Sequence, residues 1–119
     1  MPNNRNHNQR IGKWGEQIAI DTLVAKGYQI LERNVFTPYG EIDLVARLGQ
    51  TVAMVEVKTR TNTAAGQPEE AITAKKYSHM AKAAEEVAAS LDISAYQLDV
   101  IAIVGTPGAV REVIHFENI

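Results

Sequence analysis

The chain has 119 residues with 12 basic and 14 acidic side chains, so its net charge of −2 gives no global argument for a nucleic-acid partner. This length and a hydrophobic content of 45% are typical of one globular domain, and the absence of cysteine excludes disulfides and thiolate metal sites. The sequence has no apolar run long enough to span a membrane and no signal-peptide core at its start, so we expect a cytoplasmic protein.

The first part of the chain divides into a polar tail and a helix. Residues 1–9 are rich in asparagine, which predicts a flexible N-terminal arm ahead of a single domain over residues 10–119. A helix is predicted from Arg10 to Lys26, with Gly27 as its left-handed cap. Glu16 lies on or beside the apolar face of this helix, where a carboxylate is costly without a partner. It either reaches solvent or a basic neighbour at the border of that face, or it belongs to a site.

A strand is predicted over Tyr28–Val35, and the segment that follows is the most informative of the chain. Two alternating runs rich in β-branched residues, Gly40–Leu48 and Thr51–Arg60, are joined by Gly49 and Gln50. This pattern predicts a β-hairpin, and glycine at the first loop position favours a type II′ turn.

The predicted register brings two carboxylates together. With a two-residue loop, Asp43 lies opposite Glu56 and Glu41 lies opposite Lys58. The two-residue period places these side chains and Arg60 on one face, and the other face carries Ile42, Leu44, Val55 and Val57. Facing carboxylates repel each other, whereas a divalent cation would coordinate both. Lys58 would then lie beside a metal-held water, which predicts metal-assisted phosphodiester hydrolysis. The alternative is an exposed strand face without function.

The motifs Gly40-Glu41-Ile42-Asp43 and Val55-Glu56-Val57-Lys58 resemble the PD-(D/E)XK nuclease signature. The chain is similar to the bacterial YraN-like family of predicted endonucleases, which is related to archaeal Holliday-junction resolvases. The likeness covers most of the chain, although Ile42 stands where the signature has proline. It implies a restriction-endonuclease-like core with Asp43 and Glu56 as ligands of Mg²⁺ or Mn²⁺. It further implies Lys58 as the catalytic lysine and Glu16 as the helix-borne acid, and the Val57 carbonyl would be an additional ligand.

The segment after the hairpin carries further basic residues. Residues 61–67 are small and polar, which predicts a loop. Thr73 is predicted to cap a second long helix whose apolar stripe packs on a sheet. Lys75 and Lys76 lie in its first turn, where free backbone N–H groups also favour a phosphate. Together with Arg60 they are predicted to contact nucleic acid, and a solvated lysine pair is the alternative.

Two strands complete the chain, Tyr96–Val104 and Ala109–Phe116. Asp99 lies within the apolar run of the first, where it is either a structural carboxylate held by hydrogen bonds or a neighbour of the site. The element order α-β-β-β-α-β-β predicts an α/β domain with a mixed sheet flanked by helices.

The function expected from these patterns is a divalent-metal-dependent endonuclease acting on branched or irregular DNA, in preference to RNA. A non-catalytic nucleic-acid-binding module of the same fold is the first alternative, and an interaction subunit of another nuclease is the second. A homodimer with two-fold symmetry would match a four-way junction, although the sequence shows no interface.

Overall fold

The computed structural model describes residues 4–119, with side chains from Gln9 onward, as one five-stranded sheet with a helix on each face. The elements are α1 (Asn4–Ala25), β1 (Gln29–Thr37), β2 (Gly40–Leu48), β3 (Thr51–Arg60), α2 (Ala74–Ser90), β4 (Gln97–Thr106) and β5 (Ala109–Phe116). A short 3₁₀ turn, Pro68–Ala71, precedes α2. The predicted order α-β-β-β-α-β-β is confirmed, and the architecture is that of a restriction-endonuclease-like core.

The strands lie side by side in chain order, β1 to β5. The first three form an antiparallel meander, β3 and β4 are parallel, and β4 and β5 are antiparallel. A parallel pair needs a long crossover connection, and residues 61–96 provide it with α2 on one face of the sheet. The predicted mixed sheet is therefore confirmed.

Helix α1 begins at Asn4, whereas the sequence predicted a start at Arg10, so residues 4–9 of the predicted arm are helical. Residues 1–3 of that arm lie outside the described residues. A helix that is already nucleated extends through polar residues at a small cost per residue, which explains the longer helix. The end is as predicted, because Gly27 has φ 95° and Tyr28 N–H donates to the Leu23 carbonyl at 3.0 Å.

The core has two parts, one on each face of the sheet. The α1-side core contains Ala19, Leu23, Tyr28, Leu44, Ala46, Ala53, Val55, Ile101 and Ile103. The α2-side core contains Ile42, Val45, Val52, Met54, Met80, Ala83, Ala84, Val87, Ala88, Leu98 and Val100. Strands β2, β3 and β4 contribute to both parts, so the middle of the sheet is apolar on both faces and the polar side chains lie at its ends.

Helix α2 starts as predicted, since the Thr73 hydroxyl oxygen accepts a hydrogen bond from Lys76 N–H at 3.2 Å. Its predicted apolar stripe is confirmed at Met80, Ala84, Val87 and Ala88, which are buried. The same stripe is wrong at Tyr77, whose ring is exposed because it lies near the end of the sheet. In the described part of the chain, no helix is both long and apolar enough to cross a membrane.

Candidate functional site

The β2–β3 hairpin has the predicted loop and register over its first half. Gly49 has φ 60°, as the first position of a type II′ turn requires. Leu48 faces Thr51, and the paired register continues as far as Leu44 facing Val55. Backbone pairing between β2 and β3 ends there, so the two strands diverge before the predicted acidic pair is reached.

The Asp43 carboxylate lies where the strands diverge. Continuing the register would place Ile42 opposite Val57, with a backbone hydrogen bond between them. Instead, Val57 N–H donates to Asp43 Oδ2 at 2.7 Å. A side chain thus replaces a main-chain partner, and the sheet opens at this point while β3 remains paired with β4 through Arg60.

This divergence overturns the predicted single acidic face. Ile42 packs in the α2-side core and Leu44 in the α1-side core, so the two-residue alternation of β2 breaks between them. Asp43 lines a surface on the α1 side, and Glu56 lines one on the α2 side. The sequence pattern could not show the break, because it assumed regular pairing along the whole hairpin.

Two surface depressions meet at this point. The α1-side groove has a volume of about 660 Å³ and is lined by Gln9, Gly12, Lys13, Glu16, Asn34, Phe36, Glu41, Asp43 and Val57. The α2-side cleft has a volume of about 210 Å³ and is lined by Tyr39, Gly40, Glu41, Glu56, Lys76, His79, Met80 and Ala83. Glu41 lines both, and the β1–β2 turn stands between them.

The surroundings of Asp43 strongly raise its pKa. Burial, the largest cause, and the charges of Glu41, Glu56 and Glu16 together raise the pKa of this carboxyl from 3.8 to about 7, against the opposing hydrogen bond from Val57. Burial, and then the Glu16 carboxylate, also raise the pKa of Glu41. In the absence of a cation, the neighbouring carboxyl groups of this site therefore oppose each other's ionisation.

Glu16 is placed by α1 and held by β1. Its carboxylate is 12% exposed and accepts a hydrogen bond from Asn34 Nδ2 at 3.0 Å, with Arg33 Nη2 at 3.4 Å. Asn34 has φ 52°, in the left-handed region that asparagine tolerates. The expected basic neighbour of Glu16 is therefore confirmed. Glu16 also lies beside Asp43 in the α1-side groove, and its part in a site stays a prediction.

Lys58 lies on the same face of β3 as Glu56, as the two-residue period predicted. Its ion pair is with Glu56, whereas the predicted position opposite Glu41 is lost because the pairing of β2 with β3 ends at Leu44 and Val55. Lys58 Nζ lies 3.0 Å from Glu56 Oε1, and both side chains are partly exposed. They line a small apolar pocket between the end of β3 and the start of α2, together with Lys76 and Tyr77. The predicted lysine thus stands directly beside the predicted acid.

The three basic residues predicted to contact nucleic acid occupy different places. Lys76 lines the α2-side cleft with Glu56. Lys75 is exposed and lines neither depression, because its position on α2 points away from the sheet. Arg60 is partly buried at the end of β3, next to the loop at Gly66. Of the three, only Lys76 therefore lies close to Glu56, and Lys75 and Arg60 lie at the periphery of the site.

A second polar cluster surrounds Asp99. One oxygen of this fully buried carboxylate accepts hydrogen bonds from Gln97 and from the Asn118 backbone, and the other lies 2.7 Å from His115 Nε2. The expectation of a structural carboxylate held by hydrogen bonds is confirmed. With Glu117, these residues form a group that could hold a metal ion, since one ligand atom from each lies within 4.8 Å of the others.

The Asp99 cluster lies away from Asp43. His115 Nδ1 is 2.8 Å from Lys26 Nζ, at the C-terminal end of α1. Glu16 precedes Lys26 by ten positions, which is about 15 Å along a helix. Burial, followed by the charges of Asp99 and Glu117, raises the pKa of the neighbouring Tyr28. The structure thus offers two polar clusters along α1, one beside the middle of the helix and one at its C-terminal end.

Comparison with known sequences assigns the family. The profile of the uncharacterised protein family UPF0102 matches residues 15–103, a span that includes Glu16, Asp43, Glu56, Lys58 and Asp99. The chain belongs to this family. A UPF0102 protein of Geotalea daltonii is 42% identical to it over 116 residues, covering 96% of this chain and 91% of the relative. Another, from Syntrophotalea carbinolica, is 44% identical over 108 residues, covering 89% and 87%.

Sequence patterns missed several residues of the UPF0102 site. Lys13 and Phe36 line the α1-side groove, and Asn34 anchors Glu16. Lys13 lies in a basic segment of the sequence, but no periodicity relates it to the hairpin. Phe36 and Asn34 belong to β1, whose irregular pairing with β2 between Ile30 and Glu32 hides which residues share a face.

Proposed function

We propose that this UPF0102 protein is a divalent-metal-dependent endonuclease of the PD-(D/E)XK superfamily, in the YraN-like branch. It would hydrolyse phosphodiester bonds in branched or irregular DNA in the cytoplasm. The observation that carries the proposal is the Asp43 carboxylate, buried where two strands diverge and surrounded by three further acids. Among the described residues Asp43 has no cationic partner, whereas Glu16 pairs with Arg33 and Glu56 pairs with Lys58.

The residues present suit Mg²⁺ or Mn²⁺. Hard cations take carboxylate and carbonyl oxygens, and Asp43 keeps one oxygen that Val57 N–H does not occupy. The N–H and C=O of one strand residue point to the same side, so the Val57 carbonyl also faces the gap beside Asp43. Glu56 and Glu16 would complete the ligand set, directly or through water. A bound cation polarises the scissile phosphate and makes a water molecule more nucleophilic.

The protein's own groups divide the remaining work. Lys58, held beside Glu56 at 3.0 Å, would orient the attacking water or accept its proton. The water oxygen bonds to phosphorus and the bond to one sugar oxygen breaks, which leaves a phosphomonoester and a hydroxyl end. Lys76 in the α2-side cleft would neutralise a neighbouring phosphate. Lys75 and Arg60 would contribute only longer-range attraction.

A cleavage panel tests the proposal. Single-stranded, duplex, flap and four-way DNA, and RNA of the same sequences, are incubated with the protein in Mg²⁺ or Mn²⁺ and with EDTA as a control. We expect metal-dependent products from at least one branched DNA. Lys58→Ala should lower the cleavage rate at least a hundredfold, since it removes the group that acts on the water. Arg47→Ala, an exposed residue of β2 near the hairpin loop, is the matched control and should cut normally.

The panel also separates the alternatives. Metal-dependent products at equal rates from the parent and Lys58→Ala would remove Lys58 from the mechanism. DNA shifted in a mobility assay without products in any metal would identify a binding module instead of an enzyme. Neither binding nor cleavage by the isolated chain would favour an interaction subunit.

A further inference from the structure

The β1–β2 turn places one exposed aromatic ring at the rim of the α1-side groove. Phe36 is 78% exposed, the highest value among the large apolar side chains of the described residues. It lies near the end of β1 and faces Glu41 across the strand pair. A phenylalanine this open in water gains little from burial, and this one stands at a groove where a ligand could cover its ring.

The chemistry of the groove limits what Phe36 can bind. Besides Phe36, Val57 and Gly12, the groove is lined by polar or charged residues, so a ligand that fills it must offer charged groups as well as an apolar face. The groove instead combines an aromatic face with the Lys13 ammonium and the Asp43 acids. A nucleotide offers the matching set, because its base stacks on an aromatic ring and its phosphate pairs with cations.

We propose that Phe36 is a specificity-determining residue that stacks on an unpaired base next to the phosphate at Asp43. This inference rests on the proposed binding of nucleic acid at Asp43. Bases in a continuous duplex are already stacked on both faces, so the ring can act only where a base is unpaired or easily displaced. Lys13 on α1 would pair with a phosphate of the same strand in the α1-side groove.

Tyr39 gives a natural comparison on the same turn. Its ring is 47% exposed, faces the α2-side cleft, and already has Lys82 Nζ at 5.8 Å from the ring centroid. It therefore lies on the other side of the turn from Asp43. Replacing Tyr39 changes the aromatic content of the turn and leaves the α1-side groove unchanged, which makes it the matched control for Phe36.

The test is an abasic-site scan by fluorescence anisotropy. The probe is a forked duplex, whose junction fixes the register of the protein, with one abasic residue at each of the first four unpaired positions of either arm in turn. Binding is measured with Mn²⁺ in the Lys58→Ala background and repeated with EDTA. We expect one position at which the missing base weakens binding by about tenfold, as loss of one stacked base does.

The variants decide whether Phe36 causes that effect. Phe36→Leu keeps the apolar bulk and removes the aromatic face, so its abasic profile should be flat, whereas Phe36→Trp and Tyr39→Leu should keep the sensitive position. Because Phe36 is exposed, the melting temperature of Phe36→Leu should equal that of the parent. A flat profile in the parent, an equal abasic effect in parent and Phe36→Leu, or no binding to any fork would each overturn the inference.

The outcomes separate this inference from the proposed function. A protein that shows the Phe36-dependent position and never cuts DNA keeps the stacking role and loses the nuclease assignment. A protein that cuts DNA but shows a flat abasic profile keeps the nuclease assignment and loses the stacking role of Phe36. Association of the free protein that Phe36→Leu abolishes, seen by sedimentation without DNA, would assign the ring to contact with a second copy and would also overturn the inference.

Discussion

Asp43 shows how one side chain can create a site by interrupting a sheet. Its carboxylate accepts the Val57 hydrogen bond that a β2 carbonyl would otherwise accept. The strands must separate to admit it, and the separation exposes the Asp43 and Val57 oxygens that a cation could use. The cost is a buried carboxylate among like charges, which is typical of functional sites.

That cost predicts a pH dependence for the metal-free protein. The pKa of Asp43 is about 7 in the folded state and 3.8 in the ordinary state, so between these values the folded protein binds a proton that the unfolded chain has lost. Stability therefore falls as pH rises through this window and changes little above it. Between pH 5 and pH 8 the loss is about 2–3 kcal/mol. Asp43→Asn keeps an acceptor for Val57 N–H and should lack this loss, as measured by urea unfolding in EDTA.

The same variant locates the cation. Mn²⁺ at a hundredfold excess over its dissociation constant should stabilise the parent by about 2.7 kcal/mol, and Asp43→Asn should lose most of this response. Glu117→Gln is the matched control, because it removes a ligand from the Asp99 group and leaves Asp43 intact. If Glu117→Gln loses the response and Asp43→Asn keeps it, the cation binds at the Asp99 group.

The pH prediction has its own contradicting outcome. If the free energies of unfolding of the parent and Asp43→Asn change in parallel between pH 5 and pH 8, Asp43 does not titrate in that window.

For single residues, the sequence predicted which side chains share a strand face better than it predicted their orientations and partners. The two-residue period placed Lys58 and Glu56 on one strand face, where the structure has them, but Lys58 was predicted opposite Glu41 and its ion pair is with Glu56. The partners of Glu16 could not be predicted, because Arg33 and Asn34 reach it only after α1 docks on β1. The insertion of Asp43 between strands depends on competition between a side chain and a backbone carbonyl for one N–H group, which no periodicity records.

Helix α1 depends on a close contact with β3. A Cβ atom on Gly15 would overlap Cγ2 of Thr59 and lie 3.6 Å from Ile103 Cδ1, so the helix reaches the sheet only because this residue has no side chain. A Cβ atom on Gly12 would have nothing within 4 Å. Close packing at a glycine of α1 is therefore found at Gly15, against side chains, and not at Gly12.

These two glycines form a matched pair of variants. Gly12→Ala should stabilise the protein by about 0.5–1 kcal/mol, because alanine is the better helix former. Gly15→Ala gains the same propensity but must displace a β-branched side chain, so its free energy of unfolding should lie about 1–3 kcal/mol below that of Gly12→Ala. Thr59→Ser removes the overlapping methyl group and should rescue Gly15→Ala. Equal free energies of unfolding for the two alanine variants would show that α1 can shift away from Thr59 without loss of stability.

Elements were predictable where local chemistry determines them. The cap at Gly27, the cap at Thr73 and the Gly49 turn depend on a few adjacent residues, and all three are as predicted. The start of α1 was predicted too late, because the asparagine-rich segment has weak propensity in isolation and gains helix from the turns that follow it. Boundaries that depend on such propagation cannot be assigned from single residues.

The whole molecule carries almost balanced charge, so the nucleic-acid binding proposed for it would depend on where individual charges lie. Net charge is −2, and Asp43 and the acids around it would oppose a phosphate at the site. A bound cation would convert this region from repulsive to attractive. DNA binding should therefore require the cation and should weaken steeply with salt wherever lysines contact phosphates.

Lys76 and Lys75 test this placement. Lys76 lines the α2-side cleft and Lys75 does not, although they are adjacent and carry the same charge. Lys76→Ala should flatten the slope of log binding constant against log salt by about one unit, as loss of one phosphate contact does. Lys75→Ala should leave the slope unchanged. Equal slopes for both variants and the parent would place Lys76 on the solvated surface and remove it from the interface.

The fold as a whole followed from the order of elements. Three consecutive strands predict a meander, and a helix between β3 and β4 predicts a parallel pair, because only a long crossover can return the chain in the same direction. What the order could not show is where the meander opens. The opening depends on where the backbone pairing of β2 with β3 ends, at Leu44 and Val55, and this is determined by tertiary contacts.

The hydrogen bond between Val57 and Asp43 also gives the protein a built-in spectroscopic reporter. Most amide protons of a sheet are held by carbonyls, whose charge never changes, but this one is held by a titrating carboxylate. Its chemical shift and its rate of exchange with solvent must therefore follow the ionisation of Asp43 and any ligand that competes for the same oxygens. A single cross-peak in a ¹⁵N-labelled sample reads the state of the site without a substrate.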